Sequence, residues 1–106
     1  MKRIYTLKTC DKCRRMLSQL ENKDTFEIID IKSQGYSEAD LEKMCQLAGS
    51  YHALFSKVAK KYKEMRLSER QLKEEEMRDF ILSDYTFLKR PIMINDNEIL
   101  VGKLKR

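Results

Sequence analysis

Three patterns of apolar and polar positions follow one another in the first third of the chain. Residues 4–7 form a short β-rich run, which predicts a first strand. Apolar side chains then recur at helical spacing over residues 11–21, which predicts a helix. Residues 26–31 (FEIIDI) predict a second strand that is apolar enough to be buried on both faces. Because a helix connects them, we expect the two strands to be parallel neighbours.

The middle of the chain shows only helical spacing. Ser37 and Asp40 form a capping box before a helix that reaches Ala48, and Gly49 is placed to end it. A further helix is predicted from four apolar positions, namely Tyr51, Leu54, Phe55 and Val58. A second capping box at residues 68–71 predicts a last helix, with its apolar face at Leu72, Met77, Phe80 and Ile81.

The C-terminal region predicts a β-hairpin. Residues 92–94 and 98–101 are strand-like, a tight turn separates them at residues 95–97, and Gly102 ends the second strand. A single α/β domain over residues 1–106 follows, with a four-stranded mixed sheet and a helical insert at about residues 37–84.

Composition narrows the functional classes. Charged residues make up 37% of the chain, and 22 basic against 17 acidic side chains give a net charge of +5. The charges are interleaved, which favours solvated helix faces over a nucleic-acid surface. Neither a secretory signal pattern nor a membrane-spanning apolar stretch is present, so we expect a cytoplasmic protein without a membrane partner. We also expect a monomer.

The strongest chemical signal is the pair Cys10 and Cys13, which lies where strand one passes into the first helix. A helix N-terminus stabilises a thiolate, and the two-residue spacing brings the sulfurs within disulfide reach. Cys10 is the predicted attacking thiol. Cys13 is the predicted inward-facing thiol that resolves the adduct as an internal disulfide.

Two other interpretations of the cysteines stay open. The pair could consist of structural or idle thiols. A zinc site would need two more ligands, and the only candidates are Cys45 and His52, whose spacing matches no common finger. We therefore predict no metal, and place Cys45 in the core and His52 on or near the surface of a helix.

Three stretches of the chain resemble the arsenate reductase (ArsC)/Spx family. They are IYTLKTCDKCRRML, ALFSKVAKKYKEMRL and FLKRPIMINDNEILVG. The resemblance covers nearly the whole chain, in the right order and spacing. It implies a thioredoxin-like fold whose helical insert lies between strands two and three.

The resemblance also assigns roles near the hairpin. In the family an Arg-Pro pair starts strand three and its proline is cis, which implies that Pro91 is a cis-proline facing Cys10. Arg90 would then direct its guanidinium at the Cys10 sulfur. A fixed cation lowers a thiol pKa, and the planar fork of arginine can hold a tetrahedral oxyanion. The plainer interpretation is a surface arginine before a turn proline.

The chain departs from the glutaredoxin-linked arsenate reductases of this family at two arginine positions. Those enzymes place three arginines around one cysteine, whereas the first and third positions are Ser56 and Lys103 here. This weakens the case for arsenate, although Lys103 still offers a point charge. The predicted substrate-binding residues are Thr9, Lys12, Pro91 and Lys103.

The intact cysteine pair and the closing Val-Gly look more like Spx, a redox-sensing regulator that binds RNA polymerase. Spx-like chains continue past this Val-Gly with a further helix, so the terminal segment is expected to be short here. The first predicted function is a thiol-disulfide redox protein that acts on an oxyanion or disulfide. It would bind no cofactor and would take electrons from glutathione, glutaredoxin or thioredoxin.

The alternative function is an Spx-like regulator that binds the C-terminal domain of the RNA polymerase α-subunit, with no direct nucleic-acid contact. Its partner surface would lie at about residues 49–61. A third interpretation keeps the fold and reversible thiol chemistry without either specialised role.

Overall fold

The computed structural model describes residues 1–106, and the chain forms two compact units. The sheet unit consists of Met1–Tyr36 and Arg90–Arg106. The helical unit, Ser37–Lys89, lies between these two segments in the sequence. The candidate residues at the two ends of the chain therefore belong to one unit.

The sheet unit contains a four-stranded mixed sheet. Its strands are β1 (Lys2–Thr6), β2 (Glu27–Asp30), β3 (Ile92–Asn95) and β4 (Glu98–Val101), in the order β2-β1-β3-β4. β1 runs parallel to β2 and antiparallel to β3, and β3 and β4 form the hairpin. The predicted fold class is confirmed, including the parallel pairing of the first two strands.

The second strand is less buried than the sequence indicates. β2 lies at the edge of the sheet, and Ile28 is 38% exposed. The prediction that this strand is buried on both faces is wrong, because Glu27 and Ile28 are exposed and Ile29 is only half-buried, so no packed layer covers both faces along its length. Ile4 in β1 and Ile94 in β3, by contrast, are fully buried.

The first helix, α1 (Asp11–Ser18), is shorter than the sequence predicts. The N–H groups of Gln19 and Leu20 reach back three residues, to the carbonyls of Met16 and Leu17, both at 3.2 Å. This tightening ends the α-helix. Leu20 nevertheless stays in the core cluster of the sheet unit, which comprises Ile4, Leu20, Phe26, Met93 and Leu104.

The helical unit begins with α2 (Glu38–Ala48), whose ends match the prediction. The Ser37 hydroxyl accepts the Asp40 N–H at 3.0 Å, and the Asp40 carboxylate accepts the Ser37 N–H at 3.0 Å. Gly49 ends the helix with φ +95°, a conformation that glycine adopts without strain.

The helix predicted over residues 51–58 does not form. This segment consists of turns, and Phe55 forms an isolated antiparallel bridge with Leu88. The Ser56 N–H donates to the Phe87 carbonyl at 2.7 Å. These long-range bonds satisfy backbone groups that a helix would have paired locally, so the helical spacing of the apolar residues was misleading.

The capping box predicted at residues 68–71 is also wrong. The short helix α3 (Lys60–Glu64) is followed by a single 3₁₀ turn, and the last helix, α4 (Glu74–Ser83), starts later than predicted. The Glu76 side chain accepts the Lys73 N–H at 3.1 Å. Three consecutive glutamates in the first turn of α4 suit the positive end of the helix dipole, which favours this later start.

A half-buried acidic residue joins the remaining parts of the helical unit. Asp84 follows α4 and accepts both the N–H and the hydroxyl of Thr86, at 2.8 and 2.6 Å. Its other oxygen lies 2.6 Å from the ammonium of Lys61, in α3. Asp84 thus begins the 3₁₀ turn Tyr85–Phe87 and links it to α3.

The longest helix of the structure, α2, has 11 residues. A helix that crosses a bilayer needs about 20 apolar residues. None of the helices combines that length with an apolar composition.

Candidate functional site

Cys10 lies at the junction between β1 and α1. After β1 ends, a turn brings the Cys10 N–H to the Leu7 carbonyl at 3.0 Å. Cys10 is extended, with φ −96° and ψ 114°, and its carbonyl accepts the first helical bond, from Arg14 N–H at 3.0 Å. It is therefore the N-cap of α1, and its partly exposed sulfur lies at the positive end of the helix.

The surroundings of Cys10 favour its thiolate. Burial alone would raise the pKa of this thiol, but hydrogen bonds from the Cys13 backbone and the Cys13 thiol outweigh it, and the Arg90 charge and the Lys12 backbone act in the same direction. The pKa of Cys10 is therefore lowered from the ordinary thiol value. A larger share of Cys10 is ionised near neutral pH than for a free cysteine.

Cys13 is fully buried, and its environment has the opposite effect. Burial raises the pKa of Cys13, and the hydrogen bond and charge of Cys10 raise it further. The Leu7 backbone and the Thr6 side chain oppose this by hydrogen bonds to the Cys13 sulfur. Both thiols are free, and together they form an asymmetric pair: the partly exposed Cys10 thiol, whose pKa is lowered, and the buried Cys13 thiol in contact with it.

Arg90 and Pro91 enter the site from the start of the hairpin. Their peptide bond is cis, as the resemblance implies, and Pro91 is buried whereas Arg90 is half-buried. The Pro91 carbonyl accepts the Gly102 N–H at 2.8 Å, which joins the start of β3 to the end of β4. The structure thus brings the positive charge of Arg90 to bear on the Cys10 thiol.

The predicted substrate-binding residues occupy different places around this centre. Thr9 and Lys12 are exposed on either side of Cys10, and the Lys12 ammonium lies near Gly102, 3.9 Å from where a Cβ would stand there. Lys103 is exposed and lines a shallow groove with Met16, further along α1. The substrate-binding role of these residues remains a prediction.

Three further residues from the sequence analysis lie in the helical unit. Ser56 is buried, with 4% exposure, and offers a hydroxyl where an arginine would offer a cation. Cys45 is only partly buried on α2, and His52 is exposed in a turn rather than on a helix. No group of three or more histidine, cysteine or acidic side chains is placed to hold a metal ion.

One residue of the site was missed by the sequence analysis. Asp30 ends β2 and is 6% exposed, and its carboxylate accepts the Lys8 N–H at 2.9 Å, two residues before Cys10. It also accepts the N–H and hydroxyl of Ser33, at 3.1 and 2.7 Å. The Lys8 N–H and the Ser33 hydroxyl lower the pKa of Asp30. The available signal was an acidic residue inside the apolar run FEIIDI, because a buried carboxylate requires partners.

Two sequence comparisons give matches over most of the chain. A sequence model of the ArsC family matches residues 5–105. The global transcriptional regulator Spx of Lactiplantibacillus plantarum is 26% identical over 101 residues, which cover 93% of this chain and 76% of that protein.

Solved structures resemble the whole chain. A putative arsenate reductase from Yersinia pestis superposes with a TM-score of 0.79 at 21% identity, covering 96% of this chain and 92% of its own. An arsenate reductase from Vibrio cholerae gives 0.80 at 24% identity, with 95% and 88% covered. These likenesses establish the thioredoxin-like fold, and the family match with the cysteine pair supports a thiol redox protein. The chain belongs to the ArsC family.

Proposed function

We propose that this protein is a thiol-disulfide redox protein in which Cys10 is the nucleophile and Cys13 the resolving thiol. The observation that carries the proposal is the asymmetric pair itself. Cys10 lies at the N-terminus of α1 with a lowered pKa, and the fully buried Cys13 is in hydrogen-bond contact with it. The substrate class is an oxidised small molecule or protein, either a disulfide or an oxyanion.

With a disulfide substrate, the reaction proceeds by two exchanges. The Cys10 thiolate attacks one sulfur, which forms a mixed disulfide and releases the other half of the substrate as a thiolate. Cys13 then loses its proton and attacks the Cys10 sulfur, which releases the second half. The two cysteines have lost two electrons and the substrate has gained them. A dithiol or two molecules of a thiol, such as thioredoxin, glutaredoxin or glutathione, restore the reduced pair.

The contacts of Cys13 explain why it would react second. While Cys10 is a free thiolate, its charge and hydrogen bond raise the pKa of Cys13, in addition to the effect of burial. Once Cys10 is tied up in the mixed disulfide, that charge is gone. The Leu7 N–H and the Thr6 hydroxyl still stabilise a Cys13 thiolate, so Cys13 becomes a better nucleophile when it is needed.

With an oxyanion such as arsenate, Arg90 gains a second role. The Cys10 thiolate displaces one arsenate oxygen as water, with two protons from solvent, and Cys13 then attacks the Cys10 sulfur. The S–As electron pair stays on arsenic, which leaves as arsenite. Arg90 would hold the oxyanion bidentately, with Thr9, Lys12 and Lys103 as additional contacts. Because lysine supplies only a point charge, we expect weaker arsenate binding than a three-arginine site would give.

A second candidate function is redox sensing by an Spx-like regulator. The observation that favours it is the 26% identity to a global transcriptional regulator Spx, together with the intact cysteine pair. In this case the Cys10–Cys13 disulfide is a switch, and the partner is the C-terminal domain of the RNA polymerase α-subunit. The chemistry of the pair is the same, but it is stoichiometric rather than catalytic.

One experiment separates these functions. Reduced protein is incubated with arsenate and NADPH, together with either glutathione, glutaredoxin and glutathione reductase or thioredoxin and its reductase, and NADPH consumption is followed. Cys10→Ser should abolish turnover, whereas Cys45→Ser, which changes the third cysteine, should leave it unchanged. The same reduced and oxidised proteins are tested for binding to the C-terminal domain of the α-subunit.

The outcomes discriminate between the proposals. Turnover that depends on arsenate and on Cys10 supports the enzyme. Redox-dependent binding to the polymerase domain without turnover supports the regulator. A Cys10 thiol that titrates at the ordinary pKa and forms no disulfide with Cys13 would refute both.

A further inference from the structure

In the turn that carries Cys10, one backbone N–H bonds to a side chain outside the turn. Residues 7–10 connect β1 to α1, and the Lys8 N–H points to the Asp30 carboxylate at 2.9 Å. Asp30 ends β2, the strand that pairs in parallel with β1. Thr6 is its register partner, and the Thr6 carbonyl accepts the Ile31 N–H at 2.9 Å. Asp30 is therefore fixed beside the end of β1.

The hydrogen bonds of Asp30 hold its carboxylate in one orientation. One oxygen accepts the Lys8 N–H, and the other accepts the N–H and hydroxyl of Ser33. The Asp30 N–H donates to the Gln34 side chain at 2.8 Å, and its carbonyl accepts the Gln34 N–H at 2.9 Å. A carboxylate with 6% exposure and three donors has little freedom to turn. Its direction toward the Lys8 N–H is thus a fixed feature of the sheet unit.

The same turn makes a backbone contact to each of the two cysteines. The Leu7 carbonyl accepts the Cys10 N–H at 3.0 Å, and the Leu7 N–H bonds to the Cys13 sulfur. Lys8 directly follows Leu7, so a shift of the Lys8 amide would move the plane of the peptide unit that contains the Leu7 carbonyl. That movement would change where the Cys10 sulfur lies relative to the first turn of α1.

We propose that Asp30 is a positioning residue for the cysteine pair. It binds the Lys8 N–H and thereby fixes the turn that places the Cys10 sulfur at the N-terminus of α1. This inference rests on the proposed thiol-disulfide function. Asp30 acts through geometry rather than charge, because a negative charge near a thiol would oppose its ionisation. The Arg90 charge lowers the pKa of Cys10, whereas Asp30 keeps the Cys10 sulfur aligned with the N–H groups at the start of α1.

The test uses Cys13→Ser protein, in which Cys10 is the reactive thiol of the pair, and adds Asp30→Ala or Asp30→Asn. The rate of alkylation by iodoacetamide is measured against pH, with Cys45 also changed to serine so that only Cys10 reacts. Ser33→Ala is the matched control, because it removes one partner of the carboxylate but leaves the bond to Lys8. Thermal unfolding of every variant is recorded alongside, as is hydrogen exchange of the Lys8 amide.

We expect Asp30→Ala to slow Cys10 alkylation at pH 7 at least threefold and to move the titration to higher pH. Exchange of the Lys8 amide should accelerate in the same variant. Asp30→Asn keeps an oxygen for the Lys8 N–H and should retain at least half of the rate. Ser33→Ala should alkylate as the parent does. If Asp30→Ala does not fold, Asp30→Ser takes its place, since its shorter side chain does not reach Lys8, and the same threefold loss is expected.

A titration for Asp30→Ala or Asp30→Ser that superposes on the parent curve, even with a lower melting temperature, would overturn the inference and leave Asp30 a purely structural residue. Equal loss in Asp30→Asn and Asp30→Ala would overturn it as well, because an acceptor kept for the Lys8 N–H would then make no difference to Cys10. A parent protein whose Cys10 titrates as an ordinary thiol would refute the proposed function itself. The two failures are therefore distinguishable.

Discussion

Protonation of Asp84 should cost the protein a measurable part of its stability at low pH. Burial raises the pKa of this carboxyl group, but the Lys61 ammonium at 2.6 Å and the two Thr86 bonds outweigh it and lower the pKa from 3.8 to about 2. The side chain is 16% exposed, so solvent screens these interactions only in part. The unfolded chain therefore binds the proton more tightly than the folded one.

The size of the effect follows from that difference. One pKa unit corresponds to about 1.4 kcal/mol, so the shift contributes about 2.5 kcal/mol to the free energy of unfolding. Because the folded pKa is the lower one, this contribution is complete above about pH 5 and is lost as the pH falls. At pH 2 about 0.4 kcal/mol of it should remain.

The assay is urea unfolding followed by circular dichroism, from pH 7 to pH 2, for the parent and for Asp84→Asn. Asparagine keeps an oxygen for Thr86 but cannot ionise. The parent should exceed the variant by about 2.5 kcal/mol at pH 7, and the two should converge near pH 2. Asp79→Asn, at a side chain that is 70% exposed, is the control and should give no such convergence. A pH-independent difference between parent and Asp84→Asn would refute the reasoning.

Three further predictions concern the cysteine pair. Arg90→Ala in a Cys13→Ser background should raise the pKa of Cys10, measured as the rate of alkylation against pH, and Arg90→Lys should bring the pKa part of the way back down. Identical curves for the parent and Arg90→Ala would contradict the role of the charge. Cys13→Ser with oxidised glutathione should accumulate a Cys10 mixed disulfide in mass spectra, whereas the parent should pass on to the internal disulfide; no adduct on Cys10 would count against its role as nucleophile. Thr6→Val should slow closure of the internal disulfide several-fold without changing Cys10 alkylation, because the hydroxyl faces Cys13. Equal closure rates would show that this hydroxyl is dispensable.

Elements whose ends are decided locally were predicted well from the sequence. The capping box of Ser37 and Asp40 and the left-handed Gly49 involve residues within a few positions of one another. Such signals depend on side-chain chemistry and backbone freedom that the sequence states directly. The hairpin of β3 and β4 was equally accessible, because its two strands are separated by a two-residue turn.

Elements decided by distant partners were predicted wrongly. The spacing of residues 51–58 satisfies a helical template, yet Phe55 pairs with Leu88, more than thirty positions further along. Residues 68–71 match the capping-box pattern, but the helix begins later, at the three glutamates of the first turn of α4. At residues 51–58 a local preference of about a few tenths of a kcal/mol per residue competes with tertiary contacts that the sequence does not reveal, whereas at residues 68–71 the competing signal, three consecutive glutamates, is local and visible in the sequence.

The residues of the candidate site also divide into those that could be predicted and one that was missed. Cys10 and Cys13 were found from spacing and position alone, and Arg90 and Pro91 through the family resemblance. Asp30 was not found: its place inside the apolar run FEIIDI indicated that it needs partners, but its key partner is a backbone N–H, which a sequence does not reveal. Prediction of such a residue requires the sheet register that places the end of β2 beside the end of β1.

The sheet is assembled from the two ends of the chain, and this has a consequence during protein synthesis. β1 pairs with β3, so that Lys2 lies opposite Asn95, and the whole helical unit is translated between them. At roughly 5–20 residues per second, the cysteine pair leaves the ribosome several seconds before β3 does. Over that interval the nascent chain carries Cys10 without the Arg90 charge that acidifies it. The Cys10 thiol therefore acquires its full reactivity only after Arg90 and β3 have been translated and β3 has paired with β1.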